Sequence, residues 1–298
     1  MNKPVVARLA PTPSGYLHTG NAYNFLINWL TARSSGGLVF LRIDDLDAAR
    51  VRNEYIEDIF RTLEWLGIDW DIGPNNVQDF KKNWSQTLRI SEYENTLSQL
   101  AEKQLLFGCA CSRKILGNAE VYPGNCLDKS IPLNAKEIAW RIHIQENTII
   151  SIHDEALNRV DFDIHQVIGS AVVRRRDGVP AYHIASLTDD INFGINYIAR
   201  GLDLLPSTGL QMFIAQQLNY ESFVSSQFLH HALVSNNDGA KLSKSSNHTS
   251  LKYMRENGMK ASALLHSFAT WKGLKISGDV ASAYDLLSFW DGTYLNKV

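Results

Sequence analysis

The loop PTPSGYLHTGN follows a short apolar run and opens a helical pattern, so it could bind an anion. A helix N-terminus presents unpaired N–H groups and the positive end of the helix dipole. Gly15 and Gly20 would let the backbone approach a ligand, and His18 could donate to a phosphate oxygen near neutral pH. These residue types predict phosphate binding, and an ordinary strand-to-helix turn is the open alternative.

A second loop, GAKLSKSSN, carries two lysines three positions apart. Lys241 and Lys244, with Ser243 between them, could clamp a polyphosphate and stabilise the charge that grows when one phosphate group leaves. A pattern of this kind taken alone is also typical of a solvated loop. The two loops together favour nucleotide chemistry.

All three cysteines lie in one turn-rich stretch. Cys109 and Cys111 would point to the same face of an extended segment, and Cys126 would return after a glycine turn. Three thiolates could bind Zn²⁺, whereas three separate buried or free thiols are the open alternative. An odd and small number of cysteines excludes a disulfide scaffold and indicates a reducing compartment.

The elements that position these loops alternate along the first hundred residues. Apolar runs predict strands at VVARLAP and LVFLRID, and helical spacing predicts helices over 24–32 and from an N-cap at Asn53 to Gly67. A third helix is predicted over 85–105 with Leu88 facing inward. This alternation predicts an α/β fold with a doubly wound parallel sheet.

After residue 106 the pattern changes. IAWRIHI and TIISIHD are predicted to form strands of one antiparallel piece, and a hairpin turns at Asp177 and Gly178. A further strand, INYIARG, is followed by a helix from Pro206, the strand FLHHALVS and a helical tail. We therefore predict a split Rossmann-type catalytic domain over 1–106 and 180–240. A small insert with the cysteines is predicted over 107–179, and a final loop with a helical tail over 241–298.

Composition limits the classes of protein that fit. With 45% hydrophobic and 20% charged residues the chain is predicted to fold, which excludes disordered and coiled-coil classes. The net charge of -2 means that nucleic acid would need a local basic patch, and Arg174, Arg175 and Arg176 form the tightest basic run. An exposed, ion-paired hairpin face is the alternative for that run. No signal-like segment and no apolar run near roughly 20 residues is present, so we expect a cytoplasmic protein without a membrane anchor.

Five separate blocks carry a family resemblance. ARLAPTPSGYLHTGN and AKLSKS resemble the HIGH-type and KMSKS-type motifs of class I aminoacyl-tRNA synthetases. LRIDDLD, RRRDGVPAYHIASLTDD and IARGLDLL are similar to further blocks of the glutamyl branch in the expected order, so the resemblance covers about residues 4–250. It implies a class I fold and a ligase that forms glutamyl-adenylate and pyrophosphate from glutamate and ATP.

The resemblance also implies the site residues. It assigns ATP, accompanied by Mg²⁺, to His18, Thr19, Gly20, Asn21, Lys241, Ser243 and Lys244, of which His18, Gly20 and Lys244 would be catalytic. It assigns glutamate to Arg8, Leu9, Ala10, Pro11, Thr12, Asp44, Tyr182 and Arg200.

Within the glutamate set, the two arginines would bind carboxylates, Asp44 the ammonium, and Tyr182 would form the pocket wall. The structural alternatives pair Arg8 with Asp44 or Asp45, and Arg200 with Asp203.

The number of residues after the KMSKS-type motif predicts a subgroup of the glutamyl branch. Only 53 residues follow Ser245, so no anticodon-binding domain is expected. The chain resembles truncated paralogues of the glutamyl branch, which activate glutamate without tRNA and transfer it to the queuosine base at the wobble position of tRNA(Asp). Their zinc pattern matches CAC and YPGNC, which implies one structural Zn²⁺ on Cys109, Cys111, Tyr122 and Cys126. The anticodon loop of that tRNA is the implied partner.

Two departures from the family pattern keep rival functions open. Asp44 stands where the bacterial glutamyl pattern usually has Glu, and HTGN carries Thr19 and Asn21 instead of the commoner Ile and His. The rivals are a short glutamyl-tRNA synthetase acting on a tRNA 3′ end, a nucleotidyltransferase for another small acid, and a non-catalytic paralogue that binds nucleotide or RNA.

Overall fold

Strands alternate with helices through the computed structural model, which describes residues 4–117, 121–234 and 250–292. The strands in these ranges are β1 (Val6–Leu9), β2 (Leu38–Leu41), β3 (Leu106–Cys109), β4 (Ala139–Ile142), β5 (Ile149–Asp154), β6 (Asn158–Asp163), β7 (Val172–Arg174), β8 (Tyr197–Gly201) and β9 (Gln227–His231).

The α-helices in the same ranges are α1 (Thr19–Ser34), α2 (Asn53–Leu66), α3 (Val77–Asp79), α4 (Ile90–Glu102), α5 (Arg113–Leu116), α6 (Ile164–Val167), α7 (Tyr182–Asn192), α8 (Leu205–Gln217), α9 (Glu221–Val224), α10 (Leu251–Glu256) and α11 (Ala261–Lys272). None of them is both long and apolar enough to cross a bilayer.

The larger sheet has six strands in the order β2-β1-β8-β9-β5-β6. Neighbouring strands from β2 to β5 run parallel, and only β6 at the edge is antiparallel to its neighbour. The predicted parallel sheet is therefore confirmed. The carboxyl ends of β1, β8 and β9 meet at one edge, where ligands bind in open α/β sheets.

Apolar residues cover both faces of this sheet. One cluster packs α1, α2 and α11 against it, and the second packs α4, α7 and α8 on the other face. The interior strand β1 has three buried positions in a row, as a parallel strand covered on both faces requires. Gly67 ends α2 in the left-handed conformation, at φ 69°, as the helix-stop signal predicts. The sequence predicts Asn53 as the N-cap of α2, but Asn53 is the first helical residue and Arg52 is the N-cap.

The predicted helix over 85–105 is wrong at its start. Ser85 accepts a hydrogen bond from the Thr87 backbone and begins a short 3-10 turn, so α4 starts only at Ile90. Leu88 is 54% exposed instead of inward. Polar contacts decide this turn, because Gln86 is buried and bonds to two carboxylates, Asp45 and Asp189.

A smaller antiparallel sheet, in the order β3-β4-β7, holds the first cysteine strand. The prediction that IAWRIHI and TIISIHD share one antiparallel piece is wrong, because β4 lies in this small sheet whereas β5 pairs with β9 in the larger one. Side-chain alternation did not distinguish the two sheets. The domain boundaries at 106 and 180 stay a prediction.

Candidate active site

A cavity of about 570 Å³ opens where β1 and β8 end and α1 begins. Nine residues of the predicted ATP and glutamate sets line it: Arg8, Ala10, Thr12, His18, Gly20, Asn21, Asp44, Tyr182 and Arg200. Three others do not. Leu9 is fully buried in the core, Pro11 is buried and its carbonyl accepts from the Asp44 backbone, and Thr19 is the first residue of α1.

The first turn of α1 is held by its own side chains. Asn21 Oδ1 accepts a hydrogen bond from the His18 backbone at 3.0 Å, so the third helical residue reaches back to the N-cap as in a capping box. A Cβ at Gly20 would lie 3.1 Å from two atoms of the His18 ring. Gly20 thus lets the imidazole fold against the helix start at the cavity wall, beside the positive end of the helix dipole.

Arg8 is held by a buried ion-pair network. This network differs from the ion pairs with Asp44 or Asp45 that the sequence suggested for Arg8. Its Nε donates to Asp190 Oδ1 at 2.9 Å, and Arg42 Nη1 donates to the same oxygen at 2.5 Å. Arg42 also binds both oxygens of Asp44, at 2.7 and 3.2 Å. The pairing of Arg8 with Asp44 or Asp45 is therefore wrong, because Asp190 on α7 lies between the two arginines.

Burial shifts the titration of two of these groups. It raises the pKa of Asp44 to about 6, although Arg42 opposes the rise. It lowers the pKa of Arg8 to about 10, although Asp190 opposes the fall. Both groups are largely charged at pH 7, so the cavity presents a carboxylate and a guanidinium to a ligand.

Arg200 differs from Arg8 in its partners. It is 2% exposed, and its Nη1 donates to the amide oxygen of Gln211 at 2.9 Å. Its Nε and Nη2 have no hydrogen-bond partner among the described residues. The alternative pairing with Asp203 is wrong, since no hydrogen bond or ion pair joins the two side chains among the described residues.

Lys241, Ser243 and Lys244 lie outside the described residues. The described positions on either side of that segment reach the cavity. Val234 lines it, and Ser250 pairs with His18 while the Leu251 backbone donates to the Leu17 carbonyl at 2.7 Å.

The predicted metal residues come together at β3. The sulfur atoms of Cys109, Cys111 and Cys126 all lie within 4.8 Å of one another. The Tyr122 hydroxyl is 3.4 Å from Cys109 Sγ and 3.7 Å from Cys111 Sγ. Arg141 places its guanidinium carbon 3.9 Å from the Tyr122 ring centroid. This group of side chains could hold one metal ion.

The surroundings of Cys109 favour its thiolate. Burial alone would raise the pKa of this thiol, but hydrogen bonds with the Tyr122 hydroxyl and the Cys111 backbone, together with Arg141, lower the pKa to about 7. Metal ligation by cysteine needs the thiolate.

The arginine run at the hairpin is engaged locally. Arg175 pairs with Asp47 and Asp177, Arg176 donates to the Ala110 carbonyl, and Arg174 stacks on Trp140. Ion pairing at Arg175 supports the alternative given for this run, and its contact with tRNA stays a prediction.

A family model described as tRNA synthetases class I (E and Q), catalytic domain, matches residues 4–120 and 128–279. The chain therefore belongs to this family and is a ligase of the class I tRNA synthetase type. It shares its fold with the crystal structure of glutamate-tRNA synthetase from Elizabethkingia anophelis, at a TM-score of 0.80 and 23% identity over 99% of this chain and 67% of that one.

Within the family, the chain is similar over most of its length to proteins named glutamyl-Q tRNA(Asp) synthetase. The Prochlorococcus marinus (strain MIT 9303) protein is 33% identical over 288 residues, covering 94% of this chain and 86% of that protein. Glutamate--tRNA ligase of Symbiobacterium thermophilum is 30% identical over 278 residues, which cover 88% of this chain but 57% of the ligase.

Sequence reasoning missed Arg42, Asp190 and Gln211. Arg42 and Asp190 stand inside LRIDDLD and LTDD, two blocks that carried the resemblance, so their spacing was the available signal. Gln211 lies on an ordinary helical pattern, and nothing in the sequence separates it from other helix glutamines.

Proposed function

We propose that the protein activates glutamate with ATP, without tRNA, and transfers it to the queuosine base at the wobble position of tRNA(Asp). Arg200 carries this proposal: a buried guanidinium lines the cavity, and two of its nitrogens have no bonding partner among the described side chains. A substrate carboxylate would satisfy them. The similar proteins named glutamyl-Q tRNA(Asp) synthetase support the choice of acceptor.

The first step would join a carboxylate oxygen of glutamate to the α-phosphorus of ATP. The bond from that phosphorus to the bridging oxygen breaks, and pyrophosphate leaves with Mg²⁺. Because the nucleophile is already an anion, the protein's contribution is placement and charge neutralisation. His18 and Gly20 at the start of α1 would hold ATP, and Lys244 the departing phosphates.

The glutamate residues divide by charge in this proposal. Arg8 and Arg200 would bind the two carboxylates, Asp44 the ammonium, and Tyr182 would close the wall beside Ala10 and Thr12. In the second step a hydroxyl of the queuosine base attacks the acyl carbon, and the bond from that carbon to the phosphate oxygen breaks. An ester forms, and AMP and the hydroxyl proton are released.

The acceptor is tested with tRNA(Asp) that carries queuosine and with tRNA(Asp) that lacks it. We expect glutamate-dependent exchange of pyrophosphate into ATP without any tRNA, and stable transfer of labelled glutamate only to the queuosine-bearing tRNA. Equal charging of both tRNAs would contradict the proposed acceptor.

Charging of a tRNA 3′ end is the second candidate, favoured by the 30% identity to glutamate--tRNA ligases. It predicts that tRNA lacking queuosine is charged equally well. Failure of pyrophosphate exchange with every amino acid tried would instead favour a non-catalytic binding protein.

We also propose that one structural Zn²⁺ binds Cys109, Cys111 and Cys126, with the Tyr122 oxygen as fourth ligand. A tetrahedral zinc site with bonds near 2.3 Å puts its sulfurs about 3.8 Å apart. The three sulfurs lie within 4.8 Å of one another, so small side-chain rotations would complete the site. Bound zinc would tie β3 to the following loop in a small sheet that has little core of its own.

Cys111→Ser should lower the zinc content of the purified protein from about one ion per chain to well below one half. One thiolate is lost, and a serine hydroxyl is a poor zinc ligand at neutral pH. Elemental analysis after dialysis measures the ratio, and Ser130→Ala, an exposed change near the site, is the control. Unchanged zinc content in Cys111→Ser would show that this cluster is not the metal site.

A further inference from the structure

Gln211 makes the hydrogen bond that orients Arg200. It is fully buried on α8, and its Oε1 accepts from Arg200 Nη1 at 2.9 Å. The other end of the amide faces the carbonyl of His183 at 3.4 Å. A carbonyl cannot donate and a guanidinium cannot accept, so these two neighbours fix which end of the amide faces Arg200.

The two cavity arginines have partners of different charge. Arg8 shares the carboxylate of Asp190 with Arg42, whereas Arg200 has a neutral amide and, among the described residues, no carboxylate within ion-pair distance. A buried charge without a counter-charge is costly, and a ligand that brings the counter-charge recovers that cost. The Arg200 charge is therefore available to an anionic ligand group.

The histidine beside Arg200, His183, adds no charge to this part of the cavity wall. His183 bonds through Nε2 to Ser207 at 3.2 Å, and burial, with Arg200 adding to it, lowers its pKa to about 4. It is neutral at pH 7. Arg200 thus supplies the positive charge at this point of the cavity wall.

We infer that Gln211 is a positioning residue that preserves the preference for glutamate over glutamine: its neutral amide orients Arg200 and leaves the guanidinium charge to a substrate carboxylate. This inference rests on the proposed activation of glutamate. A carboxylate at position 211 would pair with Arg200 as Asp190 pairs with Arg8, and an anionic substrate side chain would then lose its advantage over a neutral amide.

The test compares Gln211→Glu with Gln211→Met and with Gln216→Glu, the same charge change at an exposed position of α8. Pyrophosphate exchange gives KM and kcat for glutamate, glutamine and ATP. Gln211→Glu should raise the glutamate KM roughly 10- to 150-fold, the range for hydrogen bonds to charged groups. Its kcat and its KM for ATP should stay within about threefold of the wild type, and its preference for glutamate over glutamine should fall as the glutamate KM rises.

Gln211→Met separates positioning from charge. It removes the acceptor but adds no anion, so the glutamate KM should rise while the preference for glutamate is kept. Gln216→Glu should match the wild type. Thermal unfolding checks that each variant is folded.

Each outcome decides the inference. A glutamate KM within twofold of wild type in either Gln211 variant overturns it, and Gln211→Met decides the case if Gln211→Glu does not fold. A preference for glutamate retained in folded Gln211→Glu also overturns it. Absence of glutamate-dependent exchange in the wild type would overturn the proposed function and this inference together, whereas normal wild-type exchange limits a failure to Gln211.

Discussion

Arg200→Met is expected to reduce kcat/KM for glutamate roughly 30- to 5,000-fold, the range measured when one partner of a buried, hydrogen-bonded charge pair is removed. The guanidinium lines the cavity, and its Nε and Nη2 find no acceptor in the described part of the chain. Methionine fills similar space without charge or donors. Pyrophosphate exchange over a range of glutamate concentrations measures the effect.

The same variant should keep its stability. Removal of one member of a buried ion pair destabilises a protein strongly, but Arg200 has only the neutral Gln211 as its side-chain partner among the residues described. We therefore expect Tm to change by no more than a few degrees. Arg61→Met, an exposed arginine on α2, is the matched control and should leave both activity and Tm unchanged.

If Arg200→Met loses activity only because it unfolds, its Tm will fall in parallel with the exchange rate. Arg200→Lys distinguishes the cases further. Lysine keeps the charge but cannot bind a carboxylate through two parallel bonds, so it should recover only part of the lost kcat/KM. Wild-type affinity for glutamate in folded Arg200→Met would contradict the assignment.

The parallel sheet could be predicted from sequence because each strand is a short apolar run between helical patterns. Strand β5 could not be placed from the sequence, since an alternating strand fits the small antiparallel sheet as well as the larger one. Its neighbour is fixed by tertiary contacts at Asp154, which pairs with Phe228 in register and bonds to the buried His230.

The family resemblance pointed to Arg8 and Arg200, which both line the cavity, and the spacing of the cysteines pointed to their convergence. The partners of the two arginines could not be predicted. Asp190 follows Arg8 by 182 positions, and although it stands in a block that carried the resemblance, nothing in the sequence pairs it with Arg8. Only the folded structure, in which α7 packs beside β1 and β2, shows that Arg8 and Asp190 are both buried and paired.

Lys244→Ala is expected to lower kcat for pyrophosphate exchange roughly 100- to 1,000-fold, the range for losing one group that stabilises transition-state charge. The lysine lies in the segment that resembles the KMSKS-type motif. The nearest described residues on either side of that segment, Val234 and Ser250, reach the cavity and the His18 loop. A cation beside the departing pyrophosphate acts most strongly in the transition state, so KM for glutamate should change little. Lys241→Ala is the matched control, with a smaller expected loss of kcat. Equal losses in the two variants, or a change confined to KM, would contradict the role of Lys244 on the leaving phosphates.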